Sequence, residues 1–173
     1  TFCDWGGTTF SKVKKFDLDR VFGEIEWAGK NKVEMLNSSN ANFGIFKQRD
    51  SAIVDKIIEV KQKYGYPKIF ETSWAKNSNK DVLELAMRLD SEGLLRKFGV
   101  SVQSMDEQVL TNIKRSNMKI NHMDEILAEA KEHNIAVMVE TIVGLPGETF
   151  ETYTNNYLGL LKHTNVSVDS YPL

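Results

Sequence analysis

The chain has 173 residues, 41% of them hydrophobic and 27% charged, and 22 Lys and Arg against 24 Asp and Glu leave a net charge of −2. This size and balance predict about one domain with a real core and exclude a disordered, collagen-like or disulfide-stapled chain. Near-neutral charge argues against nucleic acid as a partner, because such binders draw affinity from phosphate neutralisation. The single cysteine, Cys3, can form no internal disulfide and alone completes none of the usual cysteine metal sites.

In chain order, residues 17–29 carry a weak helical pattern, followed by an apolar strand at 32–37 and a polar loop, Asn37-Ser38-Ser39-Asn40-Ala41-Asn42-Phe43-Gly44. Asp50 is the expected N-cap of a helix with Ile53, Ile57, Val60 and Tyr64 on one face, stopped by Gly65 and Pro67. A strand at 68–73 precedes a helix with Val82, Leu85, Ala86 and Leu89 inside, ended by Gly93. A strand at 98–103 follows. Asn121 is the expected cap of a helix burying Met123, Ile126, Leu127 and Ala130. The strand at 136–143 is followed by a helix marked by Phe150, Tyr153, Tyr157, Leu160 and Leu161, and the last strand is 166–170.

The strands recur about every 33 residues, close to one βαβ unit. Parallel strands covered by helices follow from this alternation. A complete (β/α)8 barrel takes roughly 250 residues, and only about five units fit here. The residues alone therefore leave an open partial barrel and a doubly wound sheet as alternatives.

Period-two alternation separates the strand faces. Val100, Val102, Val137, Val139 and Val143 lie on one face, Thr141 with them, and Met138, Glu140 and Ile142 on the other. In a barrel the helix-covered outer face is the more uniformly apolar, so the inner face would carry Ser101, Gln103, Glu140, Asp169 and Tyr171. Barrel interiors are normally filled with branched apolar residues, so a polar set implies an internal ligand or water, or else self-satisfied polar pairs around a small core. Val143-Gly144-Leu145-Pro146-Gly147-Glu148-Thr149 offers glycines for close backbone approach but lacks P-loop spacing. His122, His133 and His163 fall on helices or helix ends with no metal-ligand spacing and read as solvent-facing or capping residues.

Thr1-Phe2-Cys3-Asp4-Trp5-Gly6-Gly7 resembles the end of the CxxxCxφC signature of radical S-adenosylmethionine (radical SAM) enzymes, with Phe2 at the aromatic position and Cys3 as the last ligand. Gly99-Val100-Ser101-Val102-Gln103-Ser104-Met105-Asp106 and Glu140-Thr141-Ile142-Val143-Gly144-Leu145-Pro146-Gly147-Glu148-Thr149 are similar to that family's fourth- and fifth-strand segments. With Asn42-Phe43-Gly44-Ile45-Phe46-Lys47-Gln48-Arg49-Asp50, they most resemble the subgroup in which a cobalamin-binding domain precedes the radical SAM core.

The resemblance implies a partial (β/α) TIM-like barrel of parallel strands with outer helices, lacking the first strand. Residues 1–173 would be one partial barrel domain, a fragment of a longer protein inactive by itself, with the cobalamin domain and C-terminal part elsewhere. The implied cofactors are a 4Fe-4S cluster held through Cys3, S-adenosylmethionine (SAM) and, through the subgroup, cobalamin. The implied chemistry is reductive cleavage of SAM to a 5′-deoxyadenosyl radical, with methyl transfer to an unreactive carbon. Methylthiotransferase-like or coproporphyrinogen-oxidase-like radical chemistry, a cluster-free lyase or aldolase with Glu140 as base, and a non-catalytic barrel module are the alternatives.

Residue by residue, the resemblance sets Phe2 and the backbone at Gly144 near the adenine, Gln103 and Glu140 on the ribose or amino group with Ser101 on the same face, and Asn42 along the cavity. Arg115 would pair with the SAM carboxylate, whereas on its own it reads as a solvated cation at a helix C-terminus. Asn40 stands where many cobalamin-type relatives carry an acidic residue, and no Gly-Gly-Glu triplet follows the first strand. Expected partners are a small-molecule or peptide substrate and an electron donor such as flavodoxin or ferredoxin. No apolar stretch approaches the roughly 18 residues of a membrane span, and a cytoplasmic location is expected.

Overall fold

The computed structural model describes residues 14–40, 42–75, 80–115 and 120–173, with the backbone alone at 120–122. The order is α1 (Leu18–Lys30), β1 (Met35–Asn37), α2 (Lys47–Tyr64), β2 (Ile69–Glu71), α3 (Lys80–Ser91), β3 (Phe98–Gln103), α4 (Glu107–Asn112), α5 (Ile120–Glu132), β4 (Val137–Val143), α6 (Phe150–Leu160) and β5 (Val166–Pro172). The strands are the five that the apolar runs predict. The first two are shorter than expected, because Lys32 and Val33 are spent closing α1 through N–H bonds to the Gly29 and Ala28 carbonyls (3.1 and 3.0 Å), and Ser73 accepts from Phe43.

All pairings are parallel: β1 with β2, and β3 with β4 with β5. Each strand within a sheet neighbours the next in chain order, with no reversal, which is barrel order rather than doubly wound order. The two sheets meet where Phe70 N–H donates to the Leu94 carbonyl (2.8 Å), and the first sheet is extended past its strands by a parallel bridge of Phe43 to Trp74. Buried rings pack edge to face from the first sheet to the seam, Phe43 on Phe70 (5.6 Å) and on Trp74 (5.8 Å), and Trp74 on Phe98 (5.2 Å) crosses it. This aromatic chain fixes the loop after β1 against the start of β3. Among the described residues the sheets do not close, so the architecture is the partial barrel.

Local chemistry sets the helix ends. The Asp17 carboxylate caps α1 through Asp19 N–H (2.8 Å), and Gly65 ends α2 at φ +74°. Asp106 caps α4 through Val109 N–H (2.9 Å), and Thr149 with Thr152 forms a reciprocal box at α6. Two expected caps are corrected. Phe46 is the N-cap of α2, and Asp50, 3% exposed, sits in the first turn with its carboxylate reaching back to Gly44 and Phe46 N–H (2.8 and 3.1 Å). Its carboxylate thus ties down the chain entering the helix rather than capping the N–H groups of the first helical residues. Asn121 is the second residue of α5 rather than its cap. Phe150 opens α6 at 87% exposure, so of the marked residues on that helix it is Leu160 that is fully buried.

Helices α1 and α2 are tied by one carboxylate. Glu26 accepts from Tyr64 Oη (2.5 Å) and Lys63 Nζ (3.0 Å), and Lys56 Nζ lies 3.1 Å from its other oxygen. These bonds, Tyr64 first, hold the Glu26 pKa down from the ordinary 4.5 to about 2. A depressed carboxylate contributes stability that is complete above its unfolded value and is lost as pH falls through the folded one. Acid unfolding followed by circular dichroism should therefore show a stability loss from pH 4.5 down to about 2 that Glu26→Gln removes. Trp74→Ala, by emptying the seam, should cost about 3–5 kcal/mol in denaturant unfolding.

Candidate functional site

Chemistry in parallel α/β folds collects at the strand C-termini, and here β3 and β4 deliver it. Val100, Val102, Val137 and Val139 are 0–3% exposed beneath the helices. The opposite face carries Ser101, Met138 and Glu140, all half-buried, while Gln103, expected with them, is half-buried at the bulged strand end and registers with Thr141. Register places Ser101, Glu140 and Asp169 in one row across the three strands, and the Ser101 hydroxyl donates to Glu140 Oε2. Tyr171 follows one step on, opposite Ile142. Thr141 points to the helix side as expected and shares a hydroxyl contact with Ser170 (2.8 Å).

Gln103 departs from regular strand geometry. The ladder shifts between Ser101 and Gln103, so Gln103 pairs with Thr141, and its φ is +66°, in the left-handed region. Its Oε1 is buried and has no hydrogen-bond partner among the described residues. A buried unsatisfied acceptor is costly unless a ligand or water completes it, and bulges often re-aim a side chain at a site. Just beyond, Ser104 Oγ accepts from Asp106 N–H (3.2 Å), so the Ser and Asp of this segment build the turn into α4.

Arg115 is not the solvated terminal cation that sequence alone allows. Half-buried, it donates from Nη2 to the Ser101 carbonyl (2.7 Å), and burial pushes its guanidinium below its ordinary value. It thus lies on the β3 strand at the head of the polar row. Gly144, at φ +89°, gives its N–H to Glu148 Oε2 (2.8 Å), and a Cβ built there would meet nothing within 4 Å. What Gly144 presents is uncovered backbone. Asn42 is half-buried beside Phe43, past the C-terminal end of β1. Phe2 and Cys3 lie outside the described residues.

Sequence reading missed Glu148, whose hold on Gly144 is local and four residues away, and Asn112, whose Nδ2 donates to the Pro146 carbonyl (2.9 Å) across 34 residues. An apolar cleft of about 540 Å³ lined by Gly23, Trp27, Ala28, Val33 and Leu36, with Arg20 and Glu24 at its edge, contains none of these groups. Among the described residues no three His, Cys, Asp or Glu converge to hold a metal, and no helix is long and apolar enough to cross a membrane.

A parallel partial barrel with an orphaned amide oxygen, a carboxylate and uncovered glycine backbone at its strand ends is a cofactor-holding α/β scaffold. The radical SAM superfamily model matches residues 1–156, and the chain belongs to that superfamily. It is 34% identical over 165 residues to the cobalamin-dependent radical SAM methyltransferase TokK of Streptomyces tokunonensis, covering 95% of this chain and 24% of that protein. It is 35% identical over 164 residues to the 2-(S-pantetheinyl)-carbapenam-3-carboxylate methyltransferase of Streptantibioticus cattleyicolor, again covering 95% and 24%. The chain thus spans about a quarter of the length of these relatives. In structure it resembles the radical SAM methyltransferase TsrM of Kitasatospora setae, solved with cobalamin and a [4Fe-4S] cluster, at TM-score 0.69 and 14% identity over 91% of this chain and 29% of that one. It also resembles coproporphyrinogen III oxidase of Escherichia coli, at TM-score 0.58 and 16% identity over 89% and 37%. These likenesses set the fold as part of a radical SAM barrel, and the family's cofactors are a 4Fe-4S cluster and SAM.

Removing the guanidinium should loosen the bulge whatever the ligand. Arg115→Ala is expected to cost about 1.5–3 kcal/mol in denaturant unfolding, the worth of a hydrogen bond to a charged group.

Proposed function

We propose that this chain is the SAM-holding part of the barrel of a cobalamin-dependent radical SAM methyltransferase, one domain of a longer enzyme that methylates an unreactive carbon of a small molecule. The observation that carries the reading is the buried Gln103 Oε1, without a hydrogen-bond partner among the described residues, at the bulged end of β3 two residues past the Ser101 that bonds Glu140. SAM offers an ammonium group and ribose hydroxyls as donors, which is what an acceptor-rich row lacks. The likeness to two methyltransferases over nearly the whole chain supports the methyl-transfer outcome.

In this reading Gln103 Oε1 and Glu140 accept from SAM, and the Ser101 hydroxyl holds the Glu140 carboxylate at one oxygen so that the other faces the ligand. Arg115 braces the Ser101 backbone and supplies positive charge for a carboxylate. Uncovered backbone at Gly144 lets a flat adenine lie close. Cys3 would be one of the cluster's thiolate ligands. When bound, the cluster supplies the electron that cleaves SAM to methionine and a 5′-deoxyadenosyl radical, and cobalamin serves as the methyl carrier. The apolar layers around the row exclude water from such reactive species. A flavodoxin or ferredoxin is the fitting electron donor.

Anaerobic reconstitution of the full-length protein with iron and sulfide tests this. Cluster absorption and 5′-deoxyadenosine formation are expected, and Cys3→Ala should abolish both. Glu140→Gln should keep the cluster absorption and weaken SAM binding about tenfold, equivalent to about 1.4 kcal/mol. Absence of SAM cleavage by the reconstituted wild type would overturn the reading.

A further inference from the structure

Loop 143–149 carries uncovered backbone and so depends on its neighbours for its shape. From within, Glu148 Oε2 takes the Gly144 N–H (2.8 Å), Glu148 N–H donates to the Leu145 carbonyl (2.9 Å), and Leu145 is buried at 3% exposure. From outside, one side chain grips it: Asn112, the last residue of α4, donates from Nδ2 to the Pro146 carbonyl (2.9 Å). The amide is itself oriented, since Gln108 Nε2, one turn earlier, donates to Asn112 Oδ1 (3.0 Å). Gly147, at φ +86°, leaves room for this contact and for nothing else, because a Cβ there would lie 2.3 Å from Asn112 Nδ2. Three residues beyond Asn112, Arg115 grips the Ser101 carbonyl (2.7 Å). The C-terminal turn of α4 therefore touches both the bulged end of β3 and the loop after β4.

We propose that Asn112 is a positioning residue that holds loop 143–149 in its SAM-receiving shape and couples it to the Ser101 and Gln103 segment. The inference rests on the reading of this face as the SAM site. Without the bond from Asn112, the loop would have to be ordered at the moment of binding, and that ordering opposes affinity.

The test uses the full-length protein. In the absence of cluster and SAM, Asn112→Ala should speed backbone hydrogen exchange at residues 147 and 148 with no change in β3 or β4. In the reconstituted enzyme it should raise the SAM Kd about three- to tenfold, the range expected for one lost hydrogen bond, with cluster absorption unchanged. Asn112→Asp, which keeps the shape and loses the donor, should behave like Asn112→Ala. Gly147→Ala should raise the Kd both through the strain of a side chain at φ +86° and by displacing Asn112, and should do so by a smaller factor in the Asn112→Ala background, where only the strain remains. Unchanged loop exchange, faster exchange with an unchanged Kd, or an equal Gly147→Ala effect in both backgrounds would each overturn the proposal. A wild type that binds no SAM at all would instead remove the underlying reading, while the exchange comparison would still report on the Asn112 contact.

Discussion

The parallel register of β3, β4 and β5 is the constraint on which the rest depends. Side chains alternate along a strand, so one alignment of three strands decides every neighbour on both faces. With Val100 opposite Val139 opposite Val168, the valines gather under the helices, and Ser101, Glu140 and Asp169 fall into a polar row on the other side. A slip of one residue would bury the carboxylates among Leu127, Ile126 and their neighbours and expose the valines. The apolar face therefore enforces the polar one, and the site is a by-product of a core that has no alternative packing.

The second structural requirement is at the seam between the two sheets. The β2 and β3 strands share no ladder there, and the Trp74 ring edge to face on Phe98 joins them, with Phe43 and Phe70 packed behind it. Phe43 belongs to the polar loop after β1, so the same rings that join the sheets also position Asn42 at the strand ends. Core packing and site placement are one set of contacts, and a cavity at the seam is felt at both.

How much of this could be read from the residues follows from the range of each interaction. Strand positions, the row of Ser101, Glu140 and Asp169, and the stop of α3 before Gly93 are local or periodic, and they are where alternation and turn chemistry put them. Asp50 is a capping residue by type, yet from the first turn its carboxylate reaches back to the N–H groups of Gly44 and Phe46 ahead of the helix, a geometry that residue type alone does not reveal. The bulge at Gln103 is invisible to period-two counting, which has no way to register an extra residue. Asn112 and the burial of Arg115 depend on contacts across 34 and 14 residues, and nothing in their sequence neighbourhoods distinguishes them from surface side chains. Phe2 and Cys3 rest on motif resemblance alone.

The central claim is that the half-buried face of β3 and β4 holds SAM, and a structure of the full-length protein with cluster and SAM bound addresses it most directly. SAM should lie within hydrogen-bonding distance of Gln103 Oε1 and Glu140, with its adenine against the backbone at Gly144. SAM bound elsewhere, with Gln103 Oε1 satisfied by protein or water, would contradict it.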